Sequence, residues 1–141
     1  MHYSLQHLFI MSWLVLFPGL QEQQLHCLLF LLEQHAVQKL SVPTAAGIDD
    51  FVKQGRGVLS RRVVEVLQEL RSEGLLAELE LTAKGKEVFR NLSSVLLYDP
   101  LYSLCVPFAE RYRRDYALIQ QDIGCSMAVV RSIHGEEVKL F

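Results

Sequence analysis

The chain has 141 residues, enough for one compact domain with a sizeable core. Half of the residues are hydrophobic, 21% are charged and the formal net charge is −2, which argues against a globally basic nucleic-acid binder and leaves only a local patch for that role. So much apolar surface predicts a self-interface or a protein partner.

The first predicted element is an apolar helix within residues 1–19. Leu8–Phe17 is a ten-residue apolar run, too short for a membrane-spanning helix, which takes about 20 residues. A signal peptide would have Lys or Arg before such a run and small residues after it. We therefore expect a core or interface helix that ends at Pro18-Gly19, with a targeting or membrane segment as the alternative. Its candidate interface residues are Phe9, Trp13 and Leu16.

The stretch from Leu20 to about Leu40 predicts a second helix. Its leucines recur with the spacing of one helix face, and further apolar residues predict burial on more than one side. Cys27 lies in this run and is expected to be a buried thiol in a reducing cytoplasm. The three cysteines are widely spaced without a CxxC pair, so the sequence suggests neither a zinc site nor a disulfide framework.

A connector with Pro43 and Gly47 follows, and "IDDFVKQ" is expected to form a short helix or turn capped by Asp49-Asp50. The sequence "GRG" ends that segment. Ser60 is a good N-cap for the next helix, and Gly74 stands where its C-terminal cap belongs.

The stretch "LLAELEL" predicts two very short strands in a tight hairpin, joined around Ala77 and Glu78. Thr82 then caps another helix, which Asp99-Pro100 ends while starting the next. Further helical segments are expected to break or bend near Pro107 and Gly124, and the last residues, "HGEEVKLF", to form a tail or a short strand.

The segment "LSRRVVEVLQELRSEGLL", followed closely by "LTAKGKEVF", resembles the recognition helix, first wing strand and post-wing helix of bacterial winged-helix proteins of the MarR and PadR type. "IDDFVKQGRGVLSRRVVEVLQEL" is weakly similar to Panacea antitoxin-like domains, with Gly57-Val58 in place of their usual Gly-Pro. The resemblance covers about Leu25–Leu92. It implies a mainly α, single-domain chain (1–141) with a winged helix-turn-helix core (20–97), a minimal two-stranded wing and a C-terminal helical extension (98–141).

A local basic patch surrounds the start of the predicted recognition helix. Four cations and no acid lie between Phe51 and Val64. A helix N-terminus offers free N–H groups to phosphate, and a recognition helix docks its first turn in the major groove. A solvated surface is the alternative, and the acidic residues further along this helix and in the wing oppose phosphate. The candidate nucleic-acid-binding residues are Lys53, Arg56, Ser60, Arg61, Arg62, Lys84 and Lys86.

The C-terminal stretch "AERYRRDYALIQQ" interleaves arginines with tyrosines, a pattern that can bind single-stranded nucleic acid by stacking. Phe108, Tyr112 and Tyr116 recur at helical spacing, which favours a packing or dimerisation helix instead. These three are further candidate interface residues.

No catalytic residue, metal ligand or cofactor is predicted. "GCSMA" follows a predicted helix, whereas a nucleophile elbow needs a strand before its serine. His26 and His35 lie about 180° apart around an ideal helix, so they form no metal pair on one face.

The sequence thus predicts a non-enzymatic, cytoplasmic winged-helix regulator of transcription that binds double-stranded DNA and is dimeric. The alternative is an antitoxin-like or complex-assembly subunit that uses the same fold to hold a protein partner without reading DNA. No membrane association is expected in either case.

Overall fold

The computed structural model describes residues 3–40 and 47–138. The helices are α1 Leu5–Leu16, α2 Glu22–Leu40, α3 Arg61–Ser72, α4 Ala83–Leu92, α5 Ser94–Leu97, α6 Pro100–Arg113, α7 Ala117–Gly124 and α8 Met127–Val130. The strands are β1 Phe51–Gln54, β2 Gly57–Ser60, β3 Leu76–Ala77 and β4 Glu80–Leu81. The mainly helical class is confirmed, whereas a winged helix is not. The predicted connector around Pro43 lies outside the described residues, as do the last three residues of the tail.

Helix α1 lies inside the core. It begins where the Ser4 side chain accepts a hydrogen bond from the backbone of His7, and every residue from His7 to Leu14 is buried. The rings of Phe9 and Trp13 each lie 5.6 Å from the ring of Tyr102 on α6. The apolar run is therefore a core helix that packs against a C-terminal helix of the same chain. Among the described residues, no helix combines the length and apolar content needed to cross a membrane.

Helix α2 is the second central element. Its bounds match the predicted helix, and Leu25, Leu28, Leu29 and Leu32 are buried, as are residues on its other faces. It packs against β2 on one side and against α6 and α7 on another. Burial on more than one side is therefore confirmed.

Residues 51–60 form an antiparallel hairpin, so the predicted short helix or turn at "IDDFVKQ" is wrong. Strands β1 and β2 pair with Gln54 opposite Gly57, leaving a two-residue turn in which Gly55 has φ 60°. Glycine takes this left-handed conformation without strain, and such turns suit the twist of a hairpin. A helix-turn-helix needs a helix just before α3, and the hairpin occupies that place.

The outer edge of β2 is covered by side chains of α2. The backbone N–H of Ser60 donates to His26 Nδ1 at 3.0 Å, and the backbone of Val58 hydrogen-bonds the thiol of Cys27. Cys27 is buried, as predicted. These two contacts satisfy amide groups that an edge strand would otherwise leave unpaired.

The outer edge of β1 is covered by the C-terminal segment. Lys53 donates its backbone N–H to the Glu136 carbonyl at 2.9 Å, and the Val138 N–H donates to the Phe51 carbonyl at 2.7 Å. Val52 and Glu137 form the antiparallel bridge between these contacts. The predicted tail or short strand is thus strand-like and extends the first hairpin.

The second hairpin is as tight as predicted, with its turn one residue later. Strands β3 and β4 pair with Ala77 opposite Glu80, so Glu78 and Leu79 form the turn. Gly74 has φ 76° just after α3, and the Thr82 side chain accepts the Gly85 N–H at 3.1 Å. Both predicted caps are confirmed.

The C-terminal helices differ from the prediction in two places. The single helix expected from Thr82 to Asp99-Pro100 is divided into α4 and α5 at Ser93. Helix α5 stops at Leu97 before α6 begins at Pro100, and α7 ends at Gly124. Helix α6, however, continues through Pro107 to Arg113, so the helix does not break at the proline and ends before residues 114–116.

Candidate functional site

The N-terminus of α3, predicted to meet DNA phosphates, already holds a carboxylate of the same chain. Ser60 Oγ accepts the Val63 N–H at 3.1 Å and donates to Asp50 Oδ1 at 2.5 Å. The other oxygen of Asp50 accepts the Arg62 N–H at 2.8 Å. Asp50 therefore caps α3, not the preceding segment as predicted, and occupies the anion position that a helix N-terminus offers.

The guanidinium of Arg62 is engaged within the chain. It donates to Gln6 Oε1 at 2.5 Å and lies 3.3 Å from the carboxylates of Glu65 and Glu69. Glu69 also contacts buried His7, with 2.6 Å between Oε2 and Nε2. The His7 hydrogen bond, assisted by Arg62, lowers the pKa of Glu69. Arg62 thus ties α3 to α1.

The remaining cations of the predicted patch are divided between two surfaces. Lys53 Nζ donates to the Ser132 carbonyl at 2.8 Å, whereas the Arg56 side chain is exposed at the hairpin turn. Arg61 is exposed beside a shallow cavity of about 340 Å³ whose lining includes Asp50 and Glu137. Within residues 3–40 and 47–138, only Arg56 and Arg61 of the four patch cations have side chains without a hydrogen bond or ion pair. Folding therefore places Asp50 and Glu137 beside the basic patch, although residues 51–64 contain no acid.

The β3–β4 hairpin is held against the body of the protein. Arg71 Nε donates to the Glu78 carbonyl at 3.0 Å, and the same guanidinium lies 3.6 Å from Glu22. Strand β4 packs on α1. With exposed carboxylates at Glu78 and Glu80, this hairpin offers neither the reach nor the charge of a minor-groove probe.

The predicted interface residues lie mostly within the chain. Phe9, Trp13 and Tyr112 are buried, and Leu16, Phe108 and Tyr116 are half-buried. The Tyr112 hydroxyl donates to Asp122 at 2.8 Å, and the Tyr116 hydroxyl donates to the Pro18 carbonyl at 2.6 Å. Burial and the Asp122 hydrogen bond raise the pKa of Tyr112. The contacts of these six residues described here join elements of the same chain.

An exposed apolar groove was missed by the sequence prediction. It lies between the end of α1, the β3–β4 hairpin and α4, and its volume is about 420 Å³. We call it the α1–α4 groove. Its apolar walls are Leu14, Val15, Pro18, Leu79, Leu81 and Phe89, and its charged rim is Glu80, Lys86 and Arg90. Val15 is 49% exposed, although the rest of the apolar run around it forms part of the core. This exposed valine marks the groove as a surface feature.

The residues weighed for catalysis have structural partners. Ser126 Oγ donates to Gln34 Oε1 at 2.6 Å and follows helix α7, so "GCSMA" lacks the strand of a nucleophile elbow. His26 accepts the Ser60 N–H, and burial lowers its pKa. No cluster of metal-ligating side chains occurs among the residues that the structure describes.

Comparisons of the chain with protein-family models, with curated proteins and with solved structures found no match.

Proposed function

We propose that this chain is a non-enzymatic protein-binding module, which holds a partner protein in the α1–α4 groove. The observation that carries the proposal is the groove itself, an exposed apolar surface of about 420 Å³ that α1, α4 and the second hairpin line together. Water leaves such a surface favourably when apolar side chains of a partner cover it.

The surface first predicted to bind DNA supports this choice by its electrostatics. A phosphate that approached the start of α3 would meet the carboxylate of Asp50, which already accepts the Arg62 N–H at 2.8 Å. Like charges at close range repel, and the neighbouring guanidinium of Arg62 is shared between two carboxylates. The unpaired thiols of Cys27, Cys105 and Cys125 support a cytoplasmic setting.

A DNA-binding regulator of transcription is the second candidate. The exposed side chains of Arg56 and Arg61 favour it, since neither is engaged by another group in the described residues. Two cations supply a weak phosphate contact, because non-specific affinity grows with the number of phosphates neutralised.

A duplex titration separates the two candidates. We expect no saturable binding when the full chain is added to a fluorescein-labelled random-sequence duplex between about 50 and about 200 mM salt. Binding that falls steeply with salt, and that Arg56→Ala/Arg61→Ala weakens, would overturn the proposal in favour of the regulator. Arg114→Ala/Arg131→Ala is the matched control, because it removes the same positive charge from exposed residues outside the predicted site.

Site-directed photo-crosslinking tests the groove directly. A photoreactive amino acid in place of Val15 should give one discrete protein adduct in cells of the source organism. The same amino acid in place of Val130, which is similarly exposed but outside the groove, should not. An adduct of twice the chain mass would identify a second copy as the partner. Equal labelling from both positions would contradict the proposal.

A further inference from the structure

The chemistry of the α1–α4 groove specifies a kind of partner. We propose that the groove binds an amphipathic helix whose apolar face enters the groove and whose carboxylates face α4. This inference rests on the protein-binding function proposed above and adds the charge and shape of the bound segment.

The groove requires apolar side chains on the partner. The groove is lined by Leu14 of α1, by Phe89 of α4, and by Leu79 and Leu81 of the second hairpin. Polar groups buried against such walls would lose their water without gaining hydrogen bonds. Leucine-like side chains lose no hydrogen bonds there.

The cations that α4 contributes to the rim favour a partner with acidic residues. Lys86 and Arg90 are four residues apart on one helix, so their side chains emerge on the same face about 6 Å apart. Both are exposed, and within the described parts of the chain neither side chain has a hydrogen bond or an ion pair. Two carboxylates with the same spacing on a partner helix would match them.

The position of Lys86 in α4 strengthens this requirement. It lies in the first turns of the helix, near the positive end of the helix dipole, and the first turn contains no acid. A cation there is mildly unfavourable for the helix, by about 0.3–1 kcal/mol at most sites. An incoming carboxylate would interact favourably with both the lysine and the helix end.

The rim residue on the hairpin orients the partner. Glu80 lies on the hairpin wall of the same groove, and its side chain is exposed. Acids on both flanks of a bound helix would place one row beside Glu80, where like charges repel. The bound helix therefore carries its acids on one flank.

A helix suits the groove better than an extended segment. An extended chain lying on apolar walls would leave its backbone N–H and C=O groups unpaired, whereas a helix pairs them internally. Pairing with the hairpin would help little, because β3 and β4 have two residues each.

Three fluorescein-labelled model peptides of about 18 residues test the proposal by fluorescence anisotropy with the full chain. They share leucines at helical spacing and carry Glu on one flank, carry Lys on that flank, or have the Glu sequence scrambled. We expect the Glu peptide to bind about tenfold more tightly than the other two, with affinity that falls as salt rises.

Charge reversal on the rim should reverse the preference. We expect Lys86→Glu/Arg90→Glu to weaken the Glu peptide about tenfold and to favour the Lys peptide. Arg114→Glu/Arg131→Glu, which removes the same charge from residues outside the groove, should change neither affinity. Circular dichroism of each variant confirms that it is folded.

Val15→Asp tests the apolar part. It should weaken the Glu peptide about tenfold, whereas Val130→Asp, at a similarly exposed valine outside the groove, should not. Equal binding of the Glu and Lys peptides, with Val15→Asp still disruptive, would overturn the acid preference while the protein-binding function stands. Binding that Val15→Asp leaves unchanged, or no binding of any peptide, would overturn the inference.

Discussion

The two hairpins of this protein have equally short turns and differ in what surrounds them. The β1–β2 hairpin has a side-chain cover from α2 on one edge and the C-terminal segment on the other. The β3–β4 hairpin has only two residues in each strand and lies between two local caps, Gly74 and Thr82. The strand edges of the first are covered by residues distant in sequence, whereas the ends of the second are fixed by neighbouring residues. That difference explains why local patterns predicted the second hairpin and missed the first.

The largest effect is expected at the base of the second hairpin. A methyl group on Gly85 would lie 2.1 Å from the backbone oxygen of Leu75, which is too close for any side chain. We expect Gly85→Ala to lower the free energy of unfolding by about 3 kcal/mol, because backbone must move to admit it. Urea denaturation measures this change.

Gly124→Ala is the control for that substitution. A methyl group there would meet nothing within 4 Å. Its effect should stay below about 1 kcal/mol, the difference in helix propensity between the two residues. Equal effects of the two substitutions would contradict the close packing at Gly85.

The edge cover of the first hairpin gives the next effect. In His26→Leu the buried Ser60 N–H loses its acceptor, so we expect the free energy of unfolding to fall by about 2 kcal/mol. Gln38→Leu, at an exposed position of the same helix, should change it little. A neutral result at both positions would show that the α2 cover is dispensable.

The same histidine predicts a dependence on pH. Burial lowers the pKa of His26 from its ordinary value of 6.5, although Glu22 and Asp50 act in the opposite direction. The unfolded state therefore binds more protons as the pH falls below about 6.5, and the stability contributed by neutral His26 is lost toward its lower folded pKa. Between about pH 8 and about pH 5.5, the wild type should lose more stability than His26→Leu. Parallel losses would contradict this assignment.

A smaller effect is expected where α2 touches the first hairpin. A methyl group on Gly57 would lie 3.0 Å from Cys27 Sγ. We expect Gly57→Ala to cost about 1.5 kcal/mol in the wild type and less in a Cys27→Ala background, where that contact is absent. Urea denaturation of the four proteins gives the coupling. Identical costs in both backgrounds would place the strain elsewhere.

The two turns give the smallest effects and compare the hairpins directly. Gly55 has φ 60° and Glu78 has φ 58°, a conformation that side chains other than glycine adopt at a cost. Gly55→Ala should cost about 1 kcal/mol. Glu78→Gly should change stability by about 0.5 kcal/mol or less, because relief of strain is offset by greater freedom of the unfolded chain. Thermal unfolding of both variants tests these values. A large loss of stability in Glu78→Gly would contradict the prediction.

Helix boundaries were predicted well because their signals are local. Ser60 and Thr82 begin helices by accepting the backbone N–H three residues later, and Gly74 follows α3 with a positive φ. Pro18 lacks the N–H that would continue α1. Because these signals act within a few residues, the sequence alone predicts the helix boundaries that they set.

The candidate sites were predicted less well because they depend on distant residues. Four cations and no acid lie between Phe51 and Val64, yet Asp50 reaches into the start of α3 and Glu137 lies beside Arg61. The α1–α4 groove joins two segments far apart in the chain, residues 14–19 and residues 79–90. Asp50 lies just outside the basic run, but Glu137 and the two halves of the groove are too distant in sequence for a local pattern to connect them.

The sequence by itself determined the helical class, the caps and the tight second hairpin, because periodicity and capping act over a few residues. Only the tertiary structure decided the first hairpin, the partners of the predicted DNA-binding cations and the exposure of Val15 at the groove. Burial and charge neutralisation at a site depend on which residues folding brings together. His7 and Glu69, and Lys53 and Ser132, are pairs separated by tens of positions.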